Sequence, residues 1–164
     1  MNPCPCGYFN HPDKDCSCKP GAVRHYLNKI SGPLLDRIDL HIEVTPVSFD
    51  ELADETLTEG SKEIRNRVVE ARLFQNNRFS MSKGVHCNAQ MGSRDLKKHC
   101  KIDDAGKQLL KNAMDRLGLS ARAYDRILKV ARTIADLEKS ISIEVNHLAE
   151  AIQYRSLDRE GWGA

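Results

Sequence analysis

Aromatic side chains are scarce in this chain, only 5% of 164 residues, so any core it builds is mainly aliphatic. No apolar run approaches the length needed to span a bilayer, which argues against a membrane protein. There is no large charge excess either. Lys and Arg outnumber Asp and Glu by only +2 although 29% of residues are charged, which argues against a surface that tracks nucleic-acid phosphates everywhere. A local basic face stays open. No secretory, transit or lipidation signal is legible, so the expected location is the cytoplasm. Two further motifs are missing. There is no Gly-x-x-x-x-Gly-Lys-Ser/Thr phosphate loop, since Gly106-Lys107 is followed by Gln108, and no apolar strand ends in Asp-Glu to hold magnesium. Phosphoryl transfer depends on positioning and electrostatics, so the chain alone is not expected to hydrolyse a nucleotide.

What is present begins with four cysteines in two tight pairs, Cys4-Pro5-Cys6 and Cys16-Ser17-Cys18. Four thiolates close a tetrahedral structural zinc site and leave no open position for catalysis. Cys-x-Cys demands a sharp turn, and Pro3, Pro5, Gly7 and Pro20-Gly21 supply turn chemistry. The stretch Phe9–Asp13 between the pairs has too little apolar content to fold alone, so a metal would serve as its core. Two disulfides or a free thiol cluster are the alternatives, and disulfides need an oxidising compartment. His11 is an alternative ligand but reads as a loop histidine. Cys87 and Cys100 read as ordinary buried or half-buried thiols.

The chain divides into three zones. Residues 1–47 hold the cysteine loop, a short helix around Ala22–Ile30, and a strand over Ile38–Val44. In that strand Ile38, Leu40, Ile42 and Val44 alternate with Asp39, His41 and Glu43. Pro46 ends it. Residues 48–60 are an acidic connector with room for a short helical turn. Residues 61–160 read as a bundle of four or five helices. The first starts at Ser61 with Ile64, Val68 and Ala71 on one stripe. Ser93 caps a short helix through His99. Asp103 or Asp104 caps the next, with Leu109, Leu110, Ala113 and Leu117 as its apolar set, and Gly118 ends it. Ser120 caps the longest helix, to about Lys139, and Ser142 caps the last, through Tyr154.

The helix after Ser120 has an apolar face of Tyr124, Ile127, Leu128, Ala131, Ile134 and Ala135. Arg122, Arg126 and Lys129 line the opposite face, flanked by Asp125 and Asp136. That face is either solvated and laced with ion pairs, or it offers Arg122 to a phosphate, whose oxygens a guanidinium fork matches.

Two motif blocks carry a resemblance over essentially the whole chain. One is Asn2-Pro3-Cys4-Pro5-Cys6-Gly7 with Cys16-Ser17-Cys18, Tyr26 and Ser31-Gly32-Pro33-Leu34-Leu35-Asp36-Arg37-Ile38-Asp39. The other is Ser120-Ala121-Arg122-Ala123-Tyr124-Asp125-Arg126 running on to Leu137. Together they resemble the ComM family of magnesium-chelatase-like AAA+ proteins, which are hexameric ATPases. The resemblance implies a mainly α fold, the C-terminal AAA+ helical lid bundle. Before it would come the zinc loop and a single-strand remnant of the α/β AAA+ core. It implies that Asn2 is the sensor-1 polar residue, Arg37 an arginine finger acting on a neighbouring subunit's nucleotide, and Arg122 the sensor-2 arginine that meets nucleotide. Without that motif, Arg37 would read as a partner of Asp36 or Asp39.

The resemblance also implies identical subunits in a hexamer, DNA as a partner in branch migration, structural zinc, and ATP with magnesium in a longer parent only. With the phosphate loop missing, the chain reads as the C-terminal part of such a parent, cut just before sensor 1. Two other readings stay open. One is a magnesium-chelatase-type ATPase subunit, against which the cysteine pairs count. The other is a free-standing zinc-stabilised helical binding module.

Overall fold

The structure is a computed structural model and describes residues 1–44, 46, 47, 53 and 59–155. Described residues fall into helices, turns and irregular backbone, with no strand among them. The elements are α1 (Ala22–Leu27), α2 (Gly32–Leu35), α3 (Ser61–Phe79), a 3₁₀ turn (Asn88–Gln90), α4 (Ser93–His99), α5 (Asp104–Leu117), α6 (Ala121–Leu137) and α7 (Val145–Gln153). The mainly helical lid-type fold is therefore the one observed. Most of the expected connector over 48–60, and residues 156–160, lie outside the described residues.

Local chemistry explains where α5 and α6 begin and end. Asp103 caps α5, its Oδ1 accepting from the Gly106 N–H at 2.7 Å. Gly118 closes it in the left-handed region at φ 61°. Ser120 caps α6, accepting from the Ala123 N–H at 3.1 Å. Gly106 has a packing reason: a Cβ there would lie 2.7 Å from Leu148 Cδ1. Its place beside Lys107 thus reflects close helix contact rather than a phosphate cradle.

Three expected details differ. Gly92, not Ser93, precedes α4, and the Asp95 carboxylate reaches back to the Gly92 N–H at 3.1 Å. Glu144, not Ser142, precedes α7; its N–H donates to His147 Nδ1 at 2.9 Å, leaving His147 Nε2–H to donate to Glu138 at 3.0 Å. The longest helix is α3 with 19 residues, against 17 for α6.

Helix α6 is the hub. It packs on α3, α4, α7 and the 3₁₀ turn, while α7 also packs on α5. The core joins Phe79, Met91, Leu96, Cys100, Leu110, Ile127, Leu128, Ala131, Ile134, Ile143, Leu148 and Ala151. The α6 apolar face is buried as its periodicity implies, except Tyr124, which sits at its rim 37% exposed. Helix α3 breaks the expectation of a stripe. Only Ala71, Gln75 and Phe79 are buried in it, and Ile64 and Val68 stay 43% and 44% exposed.

The segment 38–44 departs from its strand pattern. Its alternation is real, but Ile38, Leu40, Ile42 and Val44 all face solvent while His41 is buried. A strand exists only through a partner's backbone groups. Here the His41 N–H donates instead to the Tyr154 carbonyl at 2.7 Å, at the end of the bundle.

Candidate functional site

Two clusters combine functional side chains. In the first, the Cys4–Gly7 turn folds the chain back on itself: the Gly7 N–H donates to the Cys4 carbonyl at 3.1 Å, and Gly7 sits at φ 86°, where a side chain would be strained. All four Sγ atoms of Cys4, Cys6, Cys16 and Cys18 lie within 4.8 Å of one another. Cys4 to Cys6 is 3.3 Å, Cys6 to Cys16 is 3.6 Å and Cys4 to Cys16 is 3.8 Å. A disulfide would need about 2.05 Å. A tetrahedron with metal–sulfur bonds of about 2.3 Å has edges of about 3.8 Å, close to these separations.

The protonation pattern points the same way. The Tyr8 backbone, then the thiols of Cys4 and Cys18, pull Cys6 down to about 5 against desolvation. At Cys18 the Cys6 backbone acts to lower the pKa, but desolvation and the three neighbouring sulfurs raise it to about 12. Desolvation and the crowded sulfurs thus oppose ionising all four thiols together, a cost that a bound cation would offset. His11 stands outside the set. Its Nδ1 accepts from the Asp13 N–H at 3.0 Å and its ring meets Tyr8 edge-on. Cys100 is a buried core thiol, pushed up to about 12 by desolvation, and Cys87 is half-buried.

The second cluster joins the two motif blocks. After α2, the Arg37 N–H donates to the Leu34 carbonyl at 3.0 Å and the Ile38 N–H to the Leu35 carbonyl at 2.9 Å, a tight turn that presents Arg37. Asp36 Oδ1 accepts from Ser120 Oγ at 2.6 Å, and Arg122 lies 3.8 Å from Asp36 Oδ2. Asp39 pairs with Arg126, and the buried Arg155 donates to the Ile38 carbonyl. Both acids beside Arg37 are therefore engaged by the lid. Arg37 is exposed, and its NH1 donates to the Pro33 carbonyl at 2.7 Å. Among the described residues it pairs with no carboxylate, so neither Asp36 nor Asp39 is its partner.

The cationic face of α6 is thus largely a docking face: Arg126 meets Asp39 and Lys129 donates to the Ala89 carbonyl at 3.0 Å. Arg122 is the least committed of the three, 3.8 Å from Asp36 Oδ2 with 67% of its side chain exposed. Asn2 is exposed at the start of the cysteine loop, its amide nitrogen 3.8 Å from where a Gly7 Cβ would stand.

One polar centre escaped the sequence reading. Asp136 is buried and accepts from Arg78 at 2.7 and 2.5 Å, Asn88 at 2.8 Å and Arg132 at 3.1 Å. Arg132 Nη1 and Nη2 donate onward to the carbonyls of Ile141 and Ser140 at 2.8 and 2.6 Å. The i, i+4 spacing of Arg132 and Asp136 is a weak local signal. Nothing local points to Arg78 or Asn88. The centre ties α3 and the 3₁₀ turn to α6, and so steadies the helix that carries Arg122.

Comparison with known proteins decides the family. Residues 58–155 match the model described as magnesium chelatase, subunit ChlI C-terminal, and residues 1–52 match the one for magnesium chelatase, subunit ChlI. The chain belongs to the magnesium chelatase ChlI family. Within this AAA+ family it resembles proteins of the ComM and YifB kind. It is 40% identical over 160 residues to competence protein ComM of Haemophilus influenzae, covering 97% of this chain and 30% of that protein. It is 39% identical over 163 residues to the uncharacterized protein YifB of Escherichia coli K12, and 37% identical over 163 residues to YifB of Salmonella typhimurium, with the same coverage. The chain spans about 30% of the length of these relatives. No helix among the described residues is long and apolar enough to cross a membrane.

Proposed function

We propose that this chain supplies the lid and the trans-acting arginine of a ComM-type ring ATPase that works on DNA in the cytoplasm, with a structural zinc in its cysteine loop. The observation that carries the proposal is the state of Arg37: both flanking acids are engaged by the lid, and the guanidinium is left exposed. An arginine placed so can meet a phosphate on a neighbouring subunit, where its fork stabilises charge as the phosphoryl group transfers. Arg122 is the lid's own phosphate contact, and Asn2 orients the attacking water. ATP and magnesium are held by a phosphate loop and acidic strand end that this chain's sequence does not contain. The similarity to competence protein ComM is what favours this reading over metal insertion.

The zinc reading rests on the donor set: four thiols within 4.8 Å of one another, three of them 3.3–3.8 Å apart and one fully buried. Zinc there would be structural, fixing a loop that has little apolar core.

The decisive test is complementation in a full-length hexamer that carries this chain. Arg37→Ala subunits are mixed with subunits lacking the phosphate-loop lysine, and ATP turnover is measured. Each mutant alone should be nearly silent, and mixed rings should regain part of the activity, because each supplies what its neighbour lacks. Confirmed mixed rings with no recovery would overturn the in-trans role.

A further inference from the structure

The turn that carries Arg37 has little apolar burial to hold it. Leu34, Ile38 and Leu40 are 48%, 38% and 45% exposed. Its place against the bundle must come from polar contacts, and three are available within six residues. Asp39 pairs with Arg126, but Asp39 is half exposed and a pair of that kind contributes little. The backbone of Ile38 and His41 meets Arg155 and Tyr154. Asp36 is the third, and it is different in kind. Its side chain is only 21% exposed, it accepts a 2.6 Å bond from Ser120 Oγ, and Arg122 and Arg155 stand 3.8 and 3.9 Å away. A hydroxyl bonded to a carboxylate is among the stronger hydrogen bonds. Ser120 Oγ is at the same time the N-cap of α6, accepting from the Ala123 N–H at 3.1 Å. One hydroxyl therefore links the first turn of the hub helix to the residue next to Arg37, across 84 positions of sequence.

We propose that Asp36 is a positioning residue for Arg37: through Ser120 it latches the Arg37 turn to the N-terminus of α6, so that the lid helix and Arg37 move as one body. Its role in turnover rests on the reading of Arg37 given above. The latch itself does not, since it is a property of this chain. Any displacement of α6, which carries Arg122 two residues after Ser120, would carry Arg37 with it. The two arginines would then be set by one joint.

The test separates the latch from the helix cap. Ser120→Asp keeps an N-cap side chain, because aspartate caps as well as serine, but sets a second carboxylate against Asp36. Asp36→Ala removes the acceptor and leaves the cap. The double variant Asp36→Asn/Ser120→Asp restores a donor–acceptor pair with the roles reversed. Amide hydrogen exchange on this chain reads the outcome at Arg37 and Ile38, whose N–H groups are both bonded in the turn.

In Ser120→Asp and in Asp36→Ala both amides should exchange at least about tenfold faster, the scale expected for losing a charge-assisted hydrogen bond. In the double variant they should return close to the wild-type rate. Amides from Ala123 to Leu137 should stay unchanged throughout. Unaltered exchange at Arg37 and Ile38, equal acceleration along α6, or no recovery in the double variant would each overturn the latch. In the ATP-hydrolysing hexamer, Asp36→Ala should lower kcat and leave the KM for ATP unchanged. A change in KM alone would overturn the positioning role. If Arg37→Ala leaves turnover intact, the finger reading fails, and the exchange experiment still decides the latch.

Discussion

Removing the carboxylate of Asp136 should be the most damaging single change to the bundle. Its side chain is 1% exposed and accepts from two guanidiniums and one amide. Arg132, itself 3% exposed, keeps two carbonyl partners but loses its only carboxylate among the described residues. Asp136→Ala therefore leaves a buried positive charge without compensation, and Arg78 beside it adds to the repulsion. Breaking a buried pair in this way costs about 3–5 kcal/mol. Domains of this size have total stabilities of about 5–15 kcal/mol. With a urea slope of about 1–3 kcal/mol/M, the midpoint should fall by about 1–5 M. Far-UV circular dichroism during urea titration reads this directly.

Asp136→Asn should cost nearly as much, because the amide nitrogen would face an arginine donor. Replacing the three charged members with apolar residues of similar volume, Arg78→Met, Arg132→Met and Asp136→Leu together, should recover only part of the loss: a well-packed apolar set can match a buried ionic one, but buried Asn88 loses its bonds to Arg78 and Asp136. A loss below about 1 kcal/mol for Asp136→Ala would refute the reasoning, because that is the range of a solvated surface pair.

The other expectations follow from single sites. Reduced protein prepared without chelator should carry one zinc per chain by elemental analysis; Cys16→Ser should release it while the helical circular dichroism of residues 61–153 persists, and protein free of zinc would refute the metal reading. Gly106→Val should cost about 1–3 kcal/mol in thermal or urea unfolding, because its Cβ meets Leu148 at 2.7 Å in a filled core; an unchanged midpoint would refute the close approach. Cys100 should resist alkylation at pH 8 while Cys87 reacts, as read by mass spectrometry. Desolvation pushes the folded thiol up to about 12 from its ordinary value of 9.0, so the unfolded state loses the proton first and Cys100's contribution to stability should fall as pH rises from about 9 towards 12. Arg37→Lys should rescue Arg37→Ala poorly in hexamer turnover, since a point charge does not reproduce the guanidinium fork.

What the sequence made legible was local. Asp103, Gly118 and Ser120 announce the ends of α5 and α6 because caps are decided within four residues. The apolar face of α6 is legible because its period is carried by one helix. The gathering of Cys4, Cys6, Cys16 and Cys18 is legible because two tight pairs within fifteen residues can meet through one short loop. The caps of α4 and α7 lie one and two residues from the serines that the sequence suggests, since Gly92 and Glu144 offer no hydroxyl and the stabilising bonds come from Asp95 and His147 reaching back.

The failures share one physical cause, which is pairing over long separations. The alternation in 38–44 reports two-sided chemistry correctly, yet a strand needs a neighbour, and its backbone found the end of α7 instead. Asp136 reads as a flanking surface acid until Arg78, 58 residues away, is brought beside it. The same limit hid the relation on which the proposed role of Arg37 rests. Asp36, Arg37 and Asp39 invite the reading of an arginine between its own counterions, and no local pattern says otherwise. Folding places Ser120 on Asp36 and Arg126 on Asp39, at separations of 84 and 87 residues. The acids that would have neutralised Arg37 become its anchors, so the charge is held near the bundle without being quenched. On the proposed reading, an arginine that acts on a partner's phosphate needs both an anchored turn and a guanidinium without a carboxylate partner, and that of Arg37, bonded only to the Pro33 carbonyl among the described residues, meets the second condition.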